Sequence, residues 1–485
     1  MLARTILRRD VVQAMRKIVL ISLILVSPAA HAAIITVGPS DCSAATINSA
    51  ISSANDGDTV LLTCTGSITW TAAVTIPSTK GITLQVQGGT NTPKTSANFP
   101  LVVLSEQSPA VIAHIGNGNS PTRITGFKFS PNAGTASPFI QVDGMGNGSG
   151  VGGFRIDNNY FDTISAQFNV AVWACKTSCS ASGGELHGLI DNNTFHNIWR
   201  RSDPAYGPYN IQIWNYWHPA SPSNQCWGCD GWTVADFAYG SEASTFVEDN
   251  LFEHTASAPG HMRHYISAEL GARYVSRHNT FINNFTDHNA DLHDAHGLCA
   301  VASNGAGARG GEIYANTIQG TNYNRGLQIR GGSWLIYDNV ITAGGGNAIE
   351  FNEYRASSSQ SQCSTTNNLA PIMPPWPVPT GAAWGANDPW VAAVSDGSHY
   401  PLPQQIFNTY TWNNTAPGGG SLINPVVPVD MVQTTYVQNN RDYFASASKP
   451  AALASYTAYT YPHPLRSTGT GSVPNPPTGL TATVQ

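Results

Sequence analysis

Six segments of the chain repeat one arrangement of apolar and polar positions: FRIDNNYFDTI, GLIDNNTFHNI, TFVEDNLFEHT, YVSRHNTFINN, GEIYANTIQGT and WLIYDNVITAG. They align on Asn159, Asn193, Asn250, Asn279, Asn316 and Asn339. Three residues earlier stand Ile156, Ile190, Val247, Ser276, Ile313 and Ile336, and two residues later Phe161, Phe195, Phe252, Phe281, Ile318 and Ile341. Between them Asp157, Asp191, Glu248, Arg277, Tyr314 and Tyr337 occupy a position that reads as outward-facing. Alternation on both sides of a fixed asparagine describes a strand, a turn and a second strand. A unit with one apolar face cannot stand alone, but copies stacked end to end bury a continuous core and set like residues over like. Asparagines stacked at such a turn can hydrogen-bond from rung to rung. The pattern predicts an all-β chain wound as a parallel β-helix, with loops of unequal length inserted between constant strands.

The segment before the repeats fits one end of such a coil. ATINSAISSANDGDTV puts Ile47, Ala50, Ile51 and Ala54 on one helical face and stops at Asp56-Gly57. VLLTC, SITW, VTIPS and ITLQVQGG follow as short alternating strands. A short amphipathic helix there would plug the open end, which a terminal repeat requires.

TINSAISSANDGDTVLL followed by GITLQVQGG resembles the opening segment of the pectate-lyase-like right-handed parallel β-helix superfamily, and EIYANTI, WLIYDNVI and YTWNNT resemble its repeats. The resemblance spans roughly residues 40–440. It implies a right-handed, single-stranded parallel β-helix (pectin-lyase-like) with an N-terminal capping helix. It does not select an activity, because the superfamily includes lyases, glycoside hydrolases, esterases and adhesins. YTYPHPLR, residues 459–466, resembles the closing segment of secreted bacterial β-helix proteins, and PNPPTGLTATVQ resembles the linker and first strand of a fibronectin type III domain. The expected organisation is therefore a signal peptide over 1–32, a β-helix domain over 33–466, a linker over 467–475 and the first strand of a truncated fibronectin-like domain over 476–485.

Composition narrows the function. Charged residues are 11% of the 485 positions, and the net charge is −6 without a basic run in the body of the chain. Nucleic acid is thereby excluded as a partner, since phosphate binding needs clustered Lys and Arg. MRKIVLISLILVSPAAHA, with Met15 as a candidate start, has the charged, apolar and small-residue regions of an export signal. Its apolar run is too short to span a bilayer, and nothing later is long enough. A secreted protein acting as one copy is expected.

Eight cysteines suit an oxidising compartment. Cys175 with Cys179 and Cys226 with Cys229 are close enough to pair locally. That would leave Cys42 to join Cys64 and Cys299 to join Cys363, although the sequence alone does not fix the connectivity. The close pairs could instead be redox-active or hold zinc, but no His stands at zinc-finger spacing.

Two long insertions break the rhythm. Residues 200–240 carry Trp214, Trp217 and Trp227 among prolines and glycines, and residues 355–405 carry Trp376, Trp384 and Trp390. Long loops on a repeat scaffold are functional or protective. Their aromatics either stack on sugar rings or hold the loops down as small cores.

The densest polar run is HNTFINNFTDHNADLHDAHGLCAVASNGAGARGGEIY, followed by NRGLQIRGG and NAIEFNEYR. With Leu327 and Ile329 pointing inward, Gln328 and Arg330 point outward, and Glu350 and Asn352 do likewise one rung on. His296, Arg330 and Glu350 then share one face. β-Elimination on a uronate polymer needs positive charge against the substrate carboxylate and a base beside it. His293 or His296 as base, with Arg309 or Arg330 as clamp and Glu350 nearby, meets that need. Gln328, Arg325, Arg355, Trp214, Trp217 and Trp227 are the candidate substrate-binding residues. Hydrolysis would need two carboxyl groups, for which Asp291, Asp294, Glu350 and Glu353 are candidates. The Asn-Thr-Asp and Asp-Asp signatures of polygalacturonases are absent. Asp291 and Asp294 are also the candidates for a metal site, calcium being the cofactor to consider, although no EF-hand loop or His-Glu-x-x-His pattern occurs. Equally, Asp, Asn and His in such turns often only bond the neighbouring backbone. Three functions follow: a polysaccharide lyase acting on extracellular uronate polymer, a non-catalytic glycan-binding or adhesion module, and a glycoside hydrolase.

Mass spectrometry of protein exported to an oxidising compartment should find no free thiol and a Cys226–Cys229 link. Stoichiometric zinc on unlinked thiols would contradict this.

Overall fold

The computed structural model describes residues 32–467 apart from 93, 106–108, 117–119, 132–137, 145–152, 165–167, 175–183, 200–208, 218–237, 270, 286–289, 297–307, 343–345, 353–405, 423–424 and 428–436. Three parallel sheets of 12, 9 and 9 strands wrap one apolar core. Nine turns of the coil each contribute one strand to each sheet in the same order, as in Phe154–Asp157, Tyr160–Asp162 and Phe168–Trp173, and Ile34–Val37, Thr409–Trp412 and Tyr443–Ser446 extend the first sheet alone. This is the parallel β-helix that the repeats predict. No described helix is long and apolar enough to cross a membrane.

The asparagine sits where the chain turns from the first sheet to the second. The residue before each one (Asn158, Asn192, Asp249, His278, Ala315, Asp338 and Asn413) adopts a left-handed conformation with φ of 51–57°. Asn, Asp and His tolerate that region best, and all but Ala315 are of those types. Each asparagine then bonds to the next rung. The Asn193 backbone N–H and Nδ2 donate to Asn250 Oδ1 at 2.9 and 3.0 Å, and Asn250 donates likewise to Asn279 at 3.0 and 3.0 Å. The ladder runs from Asn159 to Asn414, and the second Nδ2 hydrogen reaches back to a carbonyl of the previous rung, as from Asn193 to Ile156 at 2.9 Å. These side chains are buried, so each bond satisfies a group that has no water to turn to.

The two apolar columns are also as expected. Val60, Leu84, Ile124, Ile156, Ile190 and Val247 stand in register along the first sheet. Ser276 interrupts the column, and its hydroxyl accepts from Asn279 Nδ2 at 3.3 Å. In the second sheet Phe129, Phe161, Phe195, Phe252 and Phe281 stack face to face with ring centroids 4.7–5.3 Å apart. That spacing matches the roughly 4.8 Å between strands, so the rings stack because the backbone does.

At the N-terminal end, the helix Ala44–Ser53 buries Ile47 and Ile51 against the first turns, and Ser43 caps it through the Thr46 N–H. Cys42 and Cys64 form the expected disulfide.

The position read as outward-facing is a partial correction. Asp157, Asp191, Glu248 and Arg277 do point away from the coil but are buried. A C-terminal strap, residues 450–467, crosses the outer face of the first sheet and packs Leu453, Tyr456, Tyr459 and Leu465 on Leu189, Phe246, Val275 and Tyr337. Arg277 donates to Glu248 at 2.7 Å and to the carbonyls of Tyr459 and Thr460 at 2.7 and 2.9 Å. Arg155 pairs with Asp191 through two bonds of 2.8 and 2.9 Å and reaches the carbonyls of Leu465 and Arg466. Alternation gave the direction of these side chains; what covers them comes from a segment far along the chain. The segments expected to be a signal peptide (1–32) and a linker with a fibronectin-like strand (467–485) lie outside the described residues apart from Ala32 and Ser467.

Asn250→Leu should destabilise the coil by about 1–3 kcal/mol, because it orphans buried backbone and amide groups on both neighbouring rungs. Urea unfolding measures the loss, and wild-type stability would remove the ladder's role.

Candidate functional site

The third sheet carries the polar run. Its inward column is Val74, Val111, Ile140, Val170, Ile211, Ile266, His293, Leu327 and Ile349. His293, expected as a candidate base, therefore occupies a core position and not the outer face. It is fully buried against the Tyr274 hydroxyl, 3.2 Å from Nε2, and burial pushes its pKa down to about 3. His293 pairs in register with Leu327, so the pairing that turns Gln328 outward turns His293 inward.

On the outer face Gln212, Ser267, Asp294, Gln328 and Glu350 stand in line. Beside them, Glu269, His296, Arg330 and Asn352 follow their strands and continue the backbone ladder, with bonds such as His296 N–H to the Ala268 carbonyl at 2.9 Å and Arg330 N–H to Ala295 at 2.9 Å. His296, Arg330 and Glu350 thus share one face, as the alternation predicts. All three are nonetheless buried, where an exposed face was expected.

Asp294 organises the cluster. Its Oδ2 lies 3.2 Å from His264 Nε2 and 3.1 Å from His296 Nε2, and it accepts from the Arg330 guanidinium. Arg330 Nε also donates to Gln328 at 3.0 Å. Glu269 Oε1 is 3.4 Å from His296 Nε2, and its other oxygen accepts from the Trp214 indole at 3.1 Å. The Tyr209 ring stacks on His264 at 5.0 Å and meets His296 edge-on at 6.4 Å. Burial, reinforced by the charges of Arg263 and Arg330, holds His264 well below the usual imidazole range. Burial raises Asp294 to about 6 against the opposing pull of Arg330, and it raises the Tyr209 phenol further above its ordinary value.

A second ion-pair group lies alongside. Arg325 bridges Asp291, at 2.9 Å, and Glu350, and Arg263 approaches Asp291 at 3.6 Å. Asn352 donates to Glu350 at 2.9 Å. Arg263 and Arg325 keep part of their surface in solvent, with 26% and 19% of the side chain exposed, which makes them the rim of the cluster. Toward the N-terminal end, Trp214 stacks on Trp173 at 5.3 Å.

Among the expected site residues, His296, Arg330, Glu350, Gln328, Arg325 and Trp214 come together on this face, as do Asp291 and Asp294. Arg309 does not join them: it leads into the first sheet, where its guanidinium lies 5.5 Å over the Phe407 ring. Trp217 lies in a short antiparallel pair with Gly184–Glu185. Trp227, Arg355, Glu353, Trp376, Trp384 and Trp390 lie outside the described residues, as do Cys175, Cys179, Cys226, Cys229, Cys299 and Cys363. His264, Glu269 and Trp173 went unnoticed in the sequence. HYISAE, residues 264–269, precedes the YVSRHN phrase, and aligning its Ile266 with Leu327 would have put Glu269 beside Arg330.

No protein-family model and no curated protein matches the chain. Solved structures that resemble it include the alginate lyase from Paenibacillus sp. str. FPU-7, with a TM-score of 0.35 and 14% identity over 65% of this chain and 97% of that one. Another is the PL6 family polysaccharide lyase Pedsa3628 from Pseudopedobacter saltans, with a TM-score of 0.38 and 13% identity over 84% and 90%. A mutant form of the PL6 family alginate lyase AlyGC gives a TM-score of 0.35 and 12% identity over 88% and 57%. Likeness at this level assigns the chain no activity.

His293 gives a pH test of its inward position. Native His293 stays neutral to about pH 3, whereas the unfolded chain takes up the proton near pH 6.5. Below about 6.5 the unfolded state holds the extra proton, so this residue lowers stability on acidification, by roughly 1.4 kcal/mol per pH unit until the native pKa is reached. His293→Leu removes that term. The stability of the variant relative to wild type should improve by about 2 kcal/mol between pH 7 and pH 5 in denaturant titrations. An unchanged difference would place His293 in solvent.

Proposed function

We propose that the outer face of the third sheet is a polysaccharide site, and that the protein is an exported polysaccharide lyase cleaving a uronate-containing polymer by β-elimination. The observation that supports this most is the convergence of Arg330, Arg325, His264, His296 and Asp294 on adjacent rungs of one face. Elimination removes the proton next to the uronate carboxylate, forms the carbon–carbon double bond and expels the glycosidic oxygen. The face must balance the charge that grows on the carboxylate, and it must accept and return a proton. Arg325 and Arg330 supply positive charge in a largely dry setting, where it is worth more than in water. The imidazoles and the Tyr209 phenol are the groups of proton-transfer type beside them. The Trp173–Trp214 pair flanks the cluster in the direction of the coil axis, along which a polymer would lie.

Ion pairing of both arginines also favours a second reading, a glycan-binding module in which the cluster only braces the face. The two separate on activity. Pectate, alginate, glucuronan and neutral plant polymers should be screened for an unsaturated, ultraviolet-absorbing product, with new reducing ends counted alongside. On a substrate so found, His296→Gln and Arg330→Ala should each lower turnover by about two to four orders of magnitude. The double variant should be scarcely worse than the poorer single one, because groups acting in one step are not additive. Wild-type turnover in both variants would take the reaction off this face. Retention of a polymer without cleavage would favour the binding module, and reducing ends without unsaturation a hydrolase.

A further inference from the structure

The contact between His264 and Asp294 requires a proton or a cation between the two atoms. His264 Nδ1 lies 2.8 Å from the Asp291 carbonyl, which can only accept, so Nδ1 carries the ring hydrogen. In the neutral ring Nε2 is then a lone pair, and it points at a carboxylate oxygen 3.2 Å away. Two acceptors at that distance repel each other unless a proton or a cation sits between them. The same oxygen lies 3.1 Å from His296 Nε2. Asp294 Oδ1, although buried, has no hydrogen-bond donor among the described residues.

We propose that His264, Asp294 and His296 form a binding site for a divalent cation of the zinc class. The three donor atoms lie within 4.8 Å of one another. Two of the spacings, 3.1 and 3.2 Å, are close to the edge of a tetrahedron with metal–ligand bonds of about 2.0 Å, roughly 3.3 Å. The bond from His264 Nδ1 to a backbone carbonyl is the outer contact that orients a ligating imidazole and fixes its tautomer. Three protein ligands leave a coordination position open, the arrangement of a catalytic site. Two imidazoles and one carboxylate suit zinc, cobalt or copper and not calcium, which takes six or more oxygens. Arg330 opposes the cation, but Glu269 adds a second carboxylate beside His296, so the cluster keeps a net negative charge. With a cation bound, His264 and His296 serve as ligands, charge compensation passes to the metal, and proton transfer falls to a neighbour such as Tyr209. The site itself does not depend on the lyase reading.

The test is metal binding by the whole chain after chelator treatment and dialysis. Cobalt should bind at the cluster with the visible absorption of a nitrogen–oxygen site and without the near-ultraviolet band of a cobalt–thiolate, which separates it from the cysteines. Copper should show hyperfine coupling to two imidazole nitrogens by electron paramagnetic resonance, a wild-type measurement that needs no variant. His296→Gln and Asp294→Asn, checked for folding by circular dichroism, should lose both signatures and the thermal stabilisation that zinc gives wild type. Metal held through thiolates alone, metal retained unchanged by both folded variants, preference for calcium, or no stoichiometric binding by wild type would each overturn the proposal. These readouts need no catalysis, so they stand or fall separately from the polysaccharide assay.

Discussion

The asparagine ladder sets the phase of the whole molecule. Each amide is held by the rungs on either side, so a turn can neither rotate about the coil axis nor slip by a residue without breaking buried bonds. The three sheets are joined within each turn, so the phase fixed at the first corner carries through the second sheet to the third. That is why Asp294, Gln328 and Glu350 stand in line on a face the ladder never touches. A candidate site assembled from separate rungs needs such a register more than it needs any single contact. Loops can then vary in length without moving it.

Both outer faces solve one electrostatic problem in different ways. The first sheet buries Arg155, Asp157, Asp191, Glu248 and Arg277 beneath a strap that supplies backbone carbonyls, leaving every charge opposed. The third sheet gathers His264, Asp294, His296 and Arg330 so that two imidazoles and a guanidinium converge on one carboxylate oxygen. The first arrangement is closed, since its donors and acceptors match. The second gathers three nitrogen groups on one carboxylate oxygen, and its contact between His264 and Asp294 is satisfied only by a proton or a cation held between them.

The fold was legible because its signal is local and repeated. Asn193, Phe195 and Ile190 say the same thing in every copy, and a stacked architecture turns sequence periodicity directly into register. The direction of Arg330 and Glu350 followed from the same alternation. What escaped was of two kinds. His293 was chosen for its chemistry although it stands three positions from the outward His296, an odd step that turns it inward in a regular strand, so composition overrode pattern. Arg309 was grouped by nearness in sequence, yet the chain leaves the third sheet between His296 and Gly310, and proximity along the chain ends there. Burial of Asp191 and Glu248 could not be read from their own phrases, because the residues covering them come from some two hundred positions or more away, as in the bond from Arg155 to Leu465 across 310 residues.

That long bond bears on how the coil comes apart. A stack in which each rung touches only its neighbours can fray from either end, one rung at a time. The strap touches rungs from Arg155 to Tyr337 at once, so none of those rungs can peel away while it is docked. It changes an open stack into something nearer a closed loop, with a single cooperative unit where a graded series would otherwise lie. The order of synthesis then matters: rungs made early wait with Arg277 and Glu248 uncovered until the last part of the coil domain has been made. Closure comes late, as a latch on a structure already wound.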